Sequence, residues 1–252
     1  MNLSHNTEVR SLQVITHLVS LAGIVWLFFS NEWQYLWVTL AFYWTTGVLG
    51  INIGFHRLIS HRSFKTHKWM ERFLALVGTI TNVGSPLAWV ALHRTHHKHA
   101  ETEEDPHSPY VIGNMRAWFG YWKIVKLQVR HVKDLWRDPF YKWSHRNYIW
   151  IHIAYCGALM LIDPMWGIYA YALPAVLVLH STSAIIVIAH RHGYKTHECN
   201  DESRNSWIAS LITLGEGWHN NHHAHPGRWK QGEKWWELDP PAWIIRLIKT
   251  NG

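Results

Sequence analysis

The residues of this chain best suited to carry chemistry are histidines that occur in three short clusters. Of 252 residues, 21 are His, and neutral imidazole is the commonest side-chain ligand of metal ions in proteins. The clusters therefore predict a metal site. The first cluster is His56 and His61, the second is His93, His96 and His97, and the third is His219, His222 and His223.

The spacing within the second and third clusters points to two metal ions. Positions i, i+3 and i+4 share one face of a helix, so His93, His96 and His97 can enter one cavity. Adjacent His96 and His97 are nevertheless turned about 100° apart, so each can face a different ion. Eight histidines exceed the four ligands of one zinc site. Two iron ions that activate O₂ suit this set better, although the ligand count alone leaves two zinc ions open.

Segments without Lys or Arg predict the membrane elements that must position these clusters. The first two such segments are long enough to cross about 30 Å of hydrocarbon. All 24 basic residues lie outside them, so the positive-inside rule places both termini and the metal site on the cytoplasmic side. The prediction is an all-α integral membrane fold with four transmembrane helices in two hairpins. The predicted spans are 11–30, 33–53, 148–162 and 166–189.

Two further stretches are apolar or amphipathic without being predicted as spans. Segment 73–92 contains Gly84 and Pro86, which interrupt a helix, and we expect a re-entrant or interfacial pair of short helices. Segment 116–136 mixes aromatic and aliphatic residues with Arg and Lys, which predicts an amphipathic helix in the interface. The chain is interpreted as one domain, 1–252.

Composition agrees with a protein that has one polar, basic face at a membrane. The mean hydropathy of −0.14 requires the apolar residues to be segregated. The 18 Trp residues suit the membrane–water interface. The net charge of +7 is explained by anionic lipid and an acidic redox partner or anionic cofactor, and nucleic acid is not expected as a partner. Cys156 lies in a predicted span and Cys199 on the predicted cytoplasmic side, so no disulfide is expected.

The order and flanks of the clusters resemble the integral-membrane fatty acyl desaturases, especially their Δ9 stearoyl-type branch. The resemblance runs from about Thr39 to Pro226. It is carried by Gly54-Phe55-His56-Arg57-Leu58-Ile59-Ser60-His61, by His93-Arg94-Thr95-His96-His97 and by Gly215-Glu216-Gly217-Trp218-His219-Asn220-Asn221-His222-His223.

The resemblance implies a cytoplasmic helical cap that holds a histidine-rich dimetal site. Its two irons would be held almost entirely by histidine, with His190 as a ninth ligand upstream of the third cluster. It implies one set of His56, His61, His93, His97 and His223, and a second set of His96, His190, His219 and His222. The family places an Asn four residues before this extra His, where it holds a metal-bound water. This chain has Ile186 at that position.

The implied reaction is O₂-dependent desaturation, which removes two hydrogens from adjacent carbons of a saturated acyl chain. The family implies Fe²⁺/Fe³⁺ as cofactor and a fatty acyl-CoA, an acyl carrier protein or an acyl lipid as substrate. Electrons would come from a separate ferredoxin or cytochrome b5. Hydroxylation by the same site is the nearest alternative, and a histidine-rich metal transporter or metal-binding membrane protein is an alternative of another class.

A few residues outside the clusters are candidates for supporting roles. Asp105 is a candidate to orient a ligand histidine, and His180 is a candidate to line the substrate cavity together with Ile186. The candidates for binding the phosphate of an acyl carrier are basic residues. They are Arg57, Arg94, Lys98, Lys123 and Lys126.

Overall fold

The computed structural model describes residues 3–120 and 129–250, and most of this part of the chain is helical. Two isolated antiparallel bridges join Asn205 to Tyr194 and to Trp218. The α-helices are α1 Leu3–Ser30, α2 Gln34–Thr45, α3 Lys68–Thr79, α4 Pro86–His99, α5 Pro109–Ile112, α6 Asn114–Trp118, α7 Lys133–Trp136, α8 Pro139–Arg146, α9 Tyr148–Met160, α10 Leu173–Ile188, α11 Trp207–Thr213, α12 His219–Ala224 and α13 Pro240–Ile248. A π-helix over Thr46–Ser60 continues α2, and a second π-helix over Gly167–Ala172 leads into α10. Val129–His131 is a 3₁₀ turn.

Three helices are long and apolar enough to cross a membrane: His5–Ser30, Gln34–Ser60 and Gly167–Ile188. Helix α9 is also apolar but has only 13 residues, which corresponds to about 20 Å at 1.5 Å per residue. The described residues therefore give an all-helical membrane protein with three candidate spans, and the predicted fourth span over 148–162 is shorter than a full crossing.

The turns that follow α1 and α9 lie next to each other. The Tyr35 hydroxyl, close to the first turn, donates a hydrogen bond of 2.8 Å to the Asp163 carboxylate in the second. The Tyr35 ring also stacks on Tyr169, with the ring centroids 4.8 Å apart. The turn after α1 and the turn after α9 therefore lie at the same end of the bundle.

A long π-helix brings the second membrane helix into close contact with α3. A Cβ on Gly50 would lie 2.7 Å from the backbone nitrogen of Gly78, and one on Gly54 would lie 2.9 Å from the Leu74 carbonyl oxygen. Only glycine lets the two backbones approach so closely. Helix α3 therefore packs directly beside the segment that carries the first histidine cluster.

The apolar segment 73–92 is broken between Thr79 and Pro86. Asn82 and Gly84 have positive φ angles of 64° and 113°, and Pro86 stands in the first turn of α4, where its missing N–H costs nothing. The Ser85 hydroxyl accepts a hydrogen bond from the Ala88 N–H and caps this helix. The segment consists of two separate helices, and a re-entrant or interfacial position stays a prediction.

The single amphipathic helix expected over 116–136 is not present in the described parts of that stretch. Helix α6 ends at Trp118, and Gly120 follows with a left-handed φ of 69°, which suits a helix C-terminus. The chain resumes with the 3₁₀ turn Val129–His131 and the short helix α7. Residues 121–128, with the candidates Lys123 and Lys126, lie outside the described residues.

Candidate metal centre

The first histidine cluster lies at the end of the π-helix, and this geometry aligns its two members. In an α-helix, residues five apart are turned by about 140°. In a π-helix, residue i+5 bonds back to residue i, and the His61 N–H donates such a bond of 3.2 Å to the His56 carbonyl. The ring centroids of His56 and His61 are 5.0 Å apart. The His-x4-His spacing therefore matches one turn of a π-helix.

The nine histidines form two compact groups, and within each group the ligand nitrogens all lie within 4.8 Å of one another. His56 and His97 each place Nε2 3.0 Å from Nε2 of His222, and the Nε2 atoms of His61 and His93 are 2.6 Å apart. Each group is of a size to hold one ion. Group A contains His56, His61, His93, His97 and His222, and group B contains His96, His190, His219 and His223.

The expected division of the third cluster is wrong, because His222 belongs to group A and His223 to group B. The reason is helical. In a helix, residue i+4 is turned by only about 40° from residue i, whereas residue i+3 is turned by about 60° in the opposite direction. His219 and His223 therefore enter one group and His222 the other. The second cluster divides in the same way, with His93 and His97 in group A and His96 in group B.

Four carboxylates accept hydrogen bonds from the second ring nitrogen of these histidines. Asp105 accepts from Nδ1 of His96 at 2.8 Å, as the candidate role for Asp105 requires. The other three acceptors are not identified by the sequence analysis: Glu101 for His190 at 2.9 Å, Asp201 for His223 at 2.8 Å and Glu216 for His56 at 2.5 Å. Such a bond fixes the proton on Nδ1 and leaves Nε2 as the ligand atom.

Burial favours the neutral form of several of these imidazoles, which is the form that binds metal. It lowers the pKa values of His93, His97, His219 and His222 well below the ordinary value. Burial also lowers the pKa of His223 to about 4, although the hydrogen bond to Asp201 opposes this effect.

Asp105 and Glu216 remain charged in the same surroundings. Burial would raise the pKa of Asp105, but the hydrogen bond from His96 holds it below its usual value. Burial would also raise the pKa of Glu216, but the charge of Arg57 together with His56 lowers it to about 2.

An apolar cavity opens directly onto both groups. Its walls include His56 of group A and His96 of group B, and the candidate Ile186 lies in the same wall. Further apolar lining comes from Ile51, Trp89, Leu92 and Ile185. A hydrocarbon chain in this cavity would meet the histidine groups without passing a charged side chain other than Glu216.

Among the described residues, the candidates His180, Arg57, Arg94 and Lys98 are not part of the lining of this cavity. His180 faces His17 of α1, with their Nε2 atoms 3.1 Å apart, and is not among the residues that line the cavity. His180 does not line this cavity, and its role as a residue of the substrate cavity stays a prediction.

The phosphate role is wrong for Arg57 and unsuited to Arg94. Arg57 is 1% exposed and is bonded to Glu216, to Asp239 and to the Trp229 carbonyl. The Arg94 guanidinium bonds Asp134 and the carbonyl oxygens of Ser60, Ile59 and His131. Lys98 is exposed, and its phosphate role stays a prediction.

These features define a helical membrane protein with a histidine-rich metal centre beside an apolar cavity. Sequence comparison agrees with that class. The family model for fatty acid desaturases matches residues 31–246. The chain is 38% identical to an sn-1 stearoyl-lipid 9-desaturase of Anabaena variabilis, over 88% of this chain and 83% of that protein.

Two further relatives are an sn-1 stearoyl-lipid 9-desaturase of Synechocystis sp. and an sn-2 palmitoyl-lipid 9-desaturase of Nostoc sp. The first is 37% identical over 94% of this chain and 75% of that protein, and the second is 36% identical over 90% and 81%. The chain belongs to the fatty acid desaturase family and is an oxidoreductase, an acyl desaturase. Membership of this family favours the enzyme over the metal transporter considered from the sequence.

Proposed function

We propose that this chain introduces a cis double bond, at Δ9, into a saturated acyl chain, with two iron ions and O₂. The observation that carries the proposal is the division of nine histidines into two ion-sized groups beside one apolar cavity. Group A and group B supply one set of ligands each. Iron and O₂ would supply the oxidant needed to break an unactivated C–H bond.

The overall reaction balances with two electrons from outside the chain. A –CH₂–CH₂– unit and O₂ combine with two electrons and two protons, and they yield –CH=CH– and two water molecules. The electrons would come from a separate ferredoxin or cytochrome b5. The protein's own task is to exclude water and to hold two neighbouring carbons of the substrate beside the histidine groups.

Four carboxylates and two apolar residues of the centre have a defined part in this task. Asp105, Glu101, Asp201 and Glu216 hold the Nδ1 protons, so that Nε2 of each partner histidine can bind the ion. Ile186 and Trp89 form part of the apolar wall that would hold the acyl chain.

We infer an acyl lipid as substrate, because the relatives described above are named for stearoyl-lipid and palmitoyl-lipid. We also infer four spans with both termini and the metal centre in the cytoplasm. The bond between Tyr35 and Asp163 supports this topology, since it joins the turn after α1 to the turn after α9. Chemical labelling of single cysteines placed at Glu32, at Met165 and in the C-terminal residues tests the topology.

Expression in a cell that lacks its own Δ9 desaturase tests the reaction. With a ferredoxin or cytochrome b5 supplied, mass spectrometry should find new Δ9 double bonds in membrane lipids. A His96→Ala variant is the inactive control. Hydroxylated chains instead of double bonds would support the hydroxylase alternative. New double bonds that appear first in the acyl-CoA or acyl carrier protein pool after a pulse of labelled fatty acid would exclude the acyl-lipid substrate.

A further inference from the structure

A second cluster of metal-binding side chains lies outside the two histidine groups and shares no residue with them. His197, His225 and Glu233 place three ligand atoms within 4.8 Å of one another. Nε2 of His197 is 2.9 Å from a Glu233 carboxylate oxygen, and the rings of His197 and His225 have centroids 4.9 Å apart. We propose that these three residues bind a divalent transition-metal ion, with Zn²⁺ as the best match.

The donor set and its surroundings select this class of ion. Two imidazoles and one carboxylate are a common zinc set, with a water molecule in the fourth position. Zinc ligands about 2.1 Å from the ion lie roughly 3.4 Å apart, so His197 and Glu233, now 2.9 Å apart, must separate slightly, and the other pairs, which lie within 4.8 Å, need only small shifts. All three are partly exposed and can make this adjustment. They border an open surface cavity that leaves room for the water ligand.

One positive charge competes with the ion. Arg228 donates a hydrogen bond of 3.0 Å to Oε1 of Glu233, while Oε2 faces His197. Glu233 therefore offers one oxygen to the metal, and the Arg228 charge weakens binding. Lys230 also lines the cavity and acts in the same direction.

The three ligands come from separate segments, and two of them, His197 and His225, are bonded to the third histidine cluster or its neighbours. Asn220 of α12 accepts a hydrogen bond of 2.8 Å from the His197 N–H and donates one of 2.9 Å to the His197 carbonyl. The His225 N–H bonds the carbonyl oxygens of Asn221 and His222, 3.1 Å away in each case. An ion at this outer site would tie the loop before α11, the end of α12 and the loop that follows it into one unit. Its effect would be to hold α12 in place.

Zinc uptake by the iron-loaded, full-length protein in detergent tests the proposal. After dialysis against Zn²⁺, elemental analysis should find one additional zinc per chain with no loss of iron. The variants His225→Ala and Glu233→Gln should lose this zinc and keep their iron. His67→Ala is the matched control, because it removes an exposed histidine elsewhere, and it should retain the zinc.

Two further measurements guard against a trivial result. Zn²⁺ should raise the unfolding temperature of the native chain but not that of His225→Ala, because only a binder of the folded state is stabilised by the ion. Arg228→Gln should bind zinc several-fold more tightly. The proposal is overturned if His225→Ala keeps its zinc, if the zinc gained equals the iron lost, or if Arg228→Gln binds no more tightly.

Discussion

Replacing Asp105 with Asn should weaken metal binding at group B and leave group A intact. One oxygen of Asp105 accepts hydrogen bonds from Nδ1 of His96 and from the Glu101 N–H, at 2.8 and 2.9 Å. The other oxygen accepts from the backbone N–H groups of His107 and Ser108, at 3.1 and 3.2 Å. Asn has one acceptor oxygen and one NH₂ group, so one of these two sides must then face a donor.

Either orientation of the Asn side chain is costly. If the NH₂ group faces His96, the imidazole must move its proton to Nε2, which blocks the ligand atom. If the NH₂ group faces His107 and Ser108, two buried donors lose their acceptor, at about 1–3 kcal/mol. Loss of such a supporting partner typically lowers metal affinity 10- to 100-fold, which corresponds to about 1.4–2.7 kcal/mol.

Anaerobic titration with Fe²⁺ measures this change. The native chain should bind two ions tightly, and Asp105→Asn should bind one tightly and one 10- to 100-fold more weakly. Asp138→Asn is the matched control. Asp138 caps α8 through the Phe140 N–H, and Asn serves equally well as a cap. Two tight ions in Asp105→Asn would refute the assignment of the His96 proton, and equal weakening of both ions would refute the independence of the groups.

Three further predictions follow from burial. The iron-free protein should lose stability as the pH falls from 6.5 toward 4, because the unfolded state gains protons on histidines that stay neutral in the fold. Lowering the pKa of His223 from 6.5 to about 4 alone corresponds to about 3 kcal/mol. Thermal unfolding across this pH range should show the loss, and a flat profile would contradict the prediction. Ile186→Phe should fill the cavity and lower turnover at least tenfold with unchanged iron content. Val187→Phe should not lower turnover, because Val187 follows Ile186 in sequence but does not line the cavity. Equal turnover in the two variants would exclude Ile186 from the substrate path. Arg57→Lys should lower the free energy of unfolding by about 3 kcal/mol, because a buried carboxylate loses its partner. Arg62→Lys, at an exposed position, should change the free energy of unfolding little. Equal effects of the two substitutions would contradict a structural role for Arg57.

The sequence predicts the parts of the centre that depend on helical periodicity. The faces shared by His93, His96 and His97 follow from spacing alone. The carboxylate partners depend on contacts between distant segments, since Glu101 meets His190 across 89 positions. Spacing also says nothing of Arg57, which is next to a ligand in sequence yet is bonded to Asp239 across 182 positions. The spacing of residues also does not predict the π-helix, because the π-helix accompanies a backbone contact between Gly50 and Gly78, which are distant in sequence.

The unequal support of the two groups indicates where a substrate should meet the metal centre. Group A has five imidazoles and one adjoining carboxylate, Glu216, whereas group B has four imidazoles and three carboxylates, on His96, His190 and His223. A carboxylate on Nδ1 makes an imidazole a more basic ligand, so group B offsets its smaller number of ligands with stronger ones. An ion held by group B would therefore have one imidazole fewer than an ion held by group A, which would leave more room for O₂ on the side of the cavity. Ile186 lines the cavity with an apolar surface, whereas the resemblance to the desaturases implies an Asn at this position that holds a metal-bound water. The side chain at position 186 of this chain can offer no hydrogen bond to such a water.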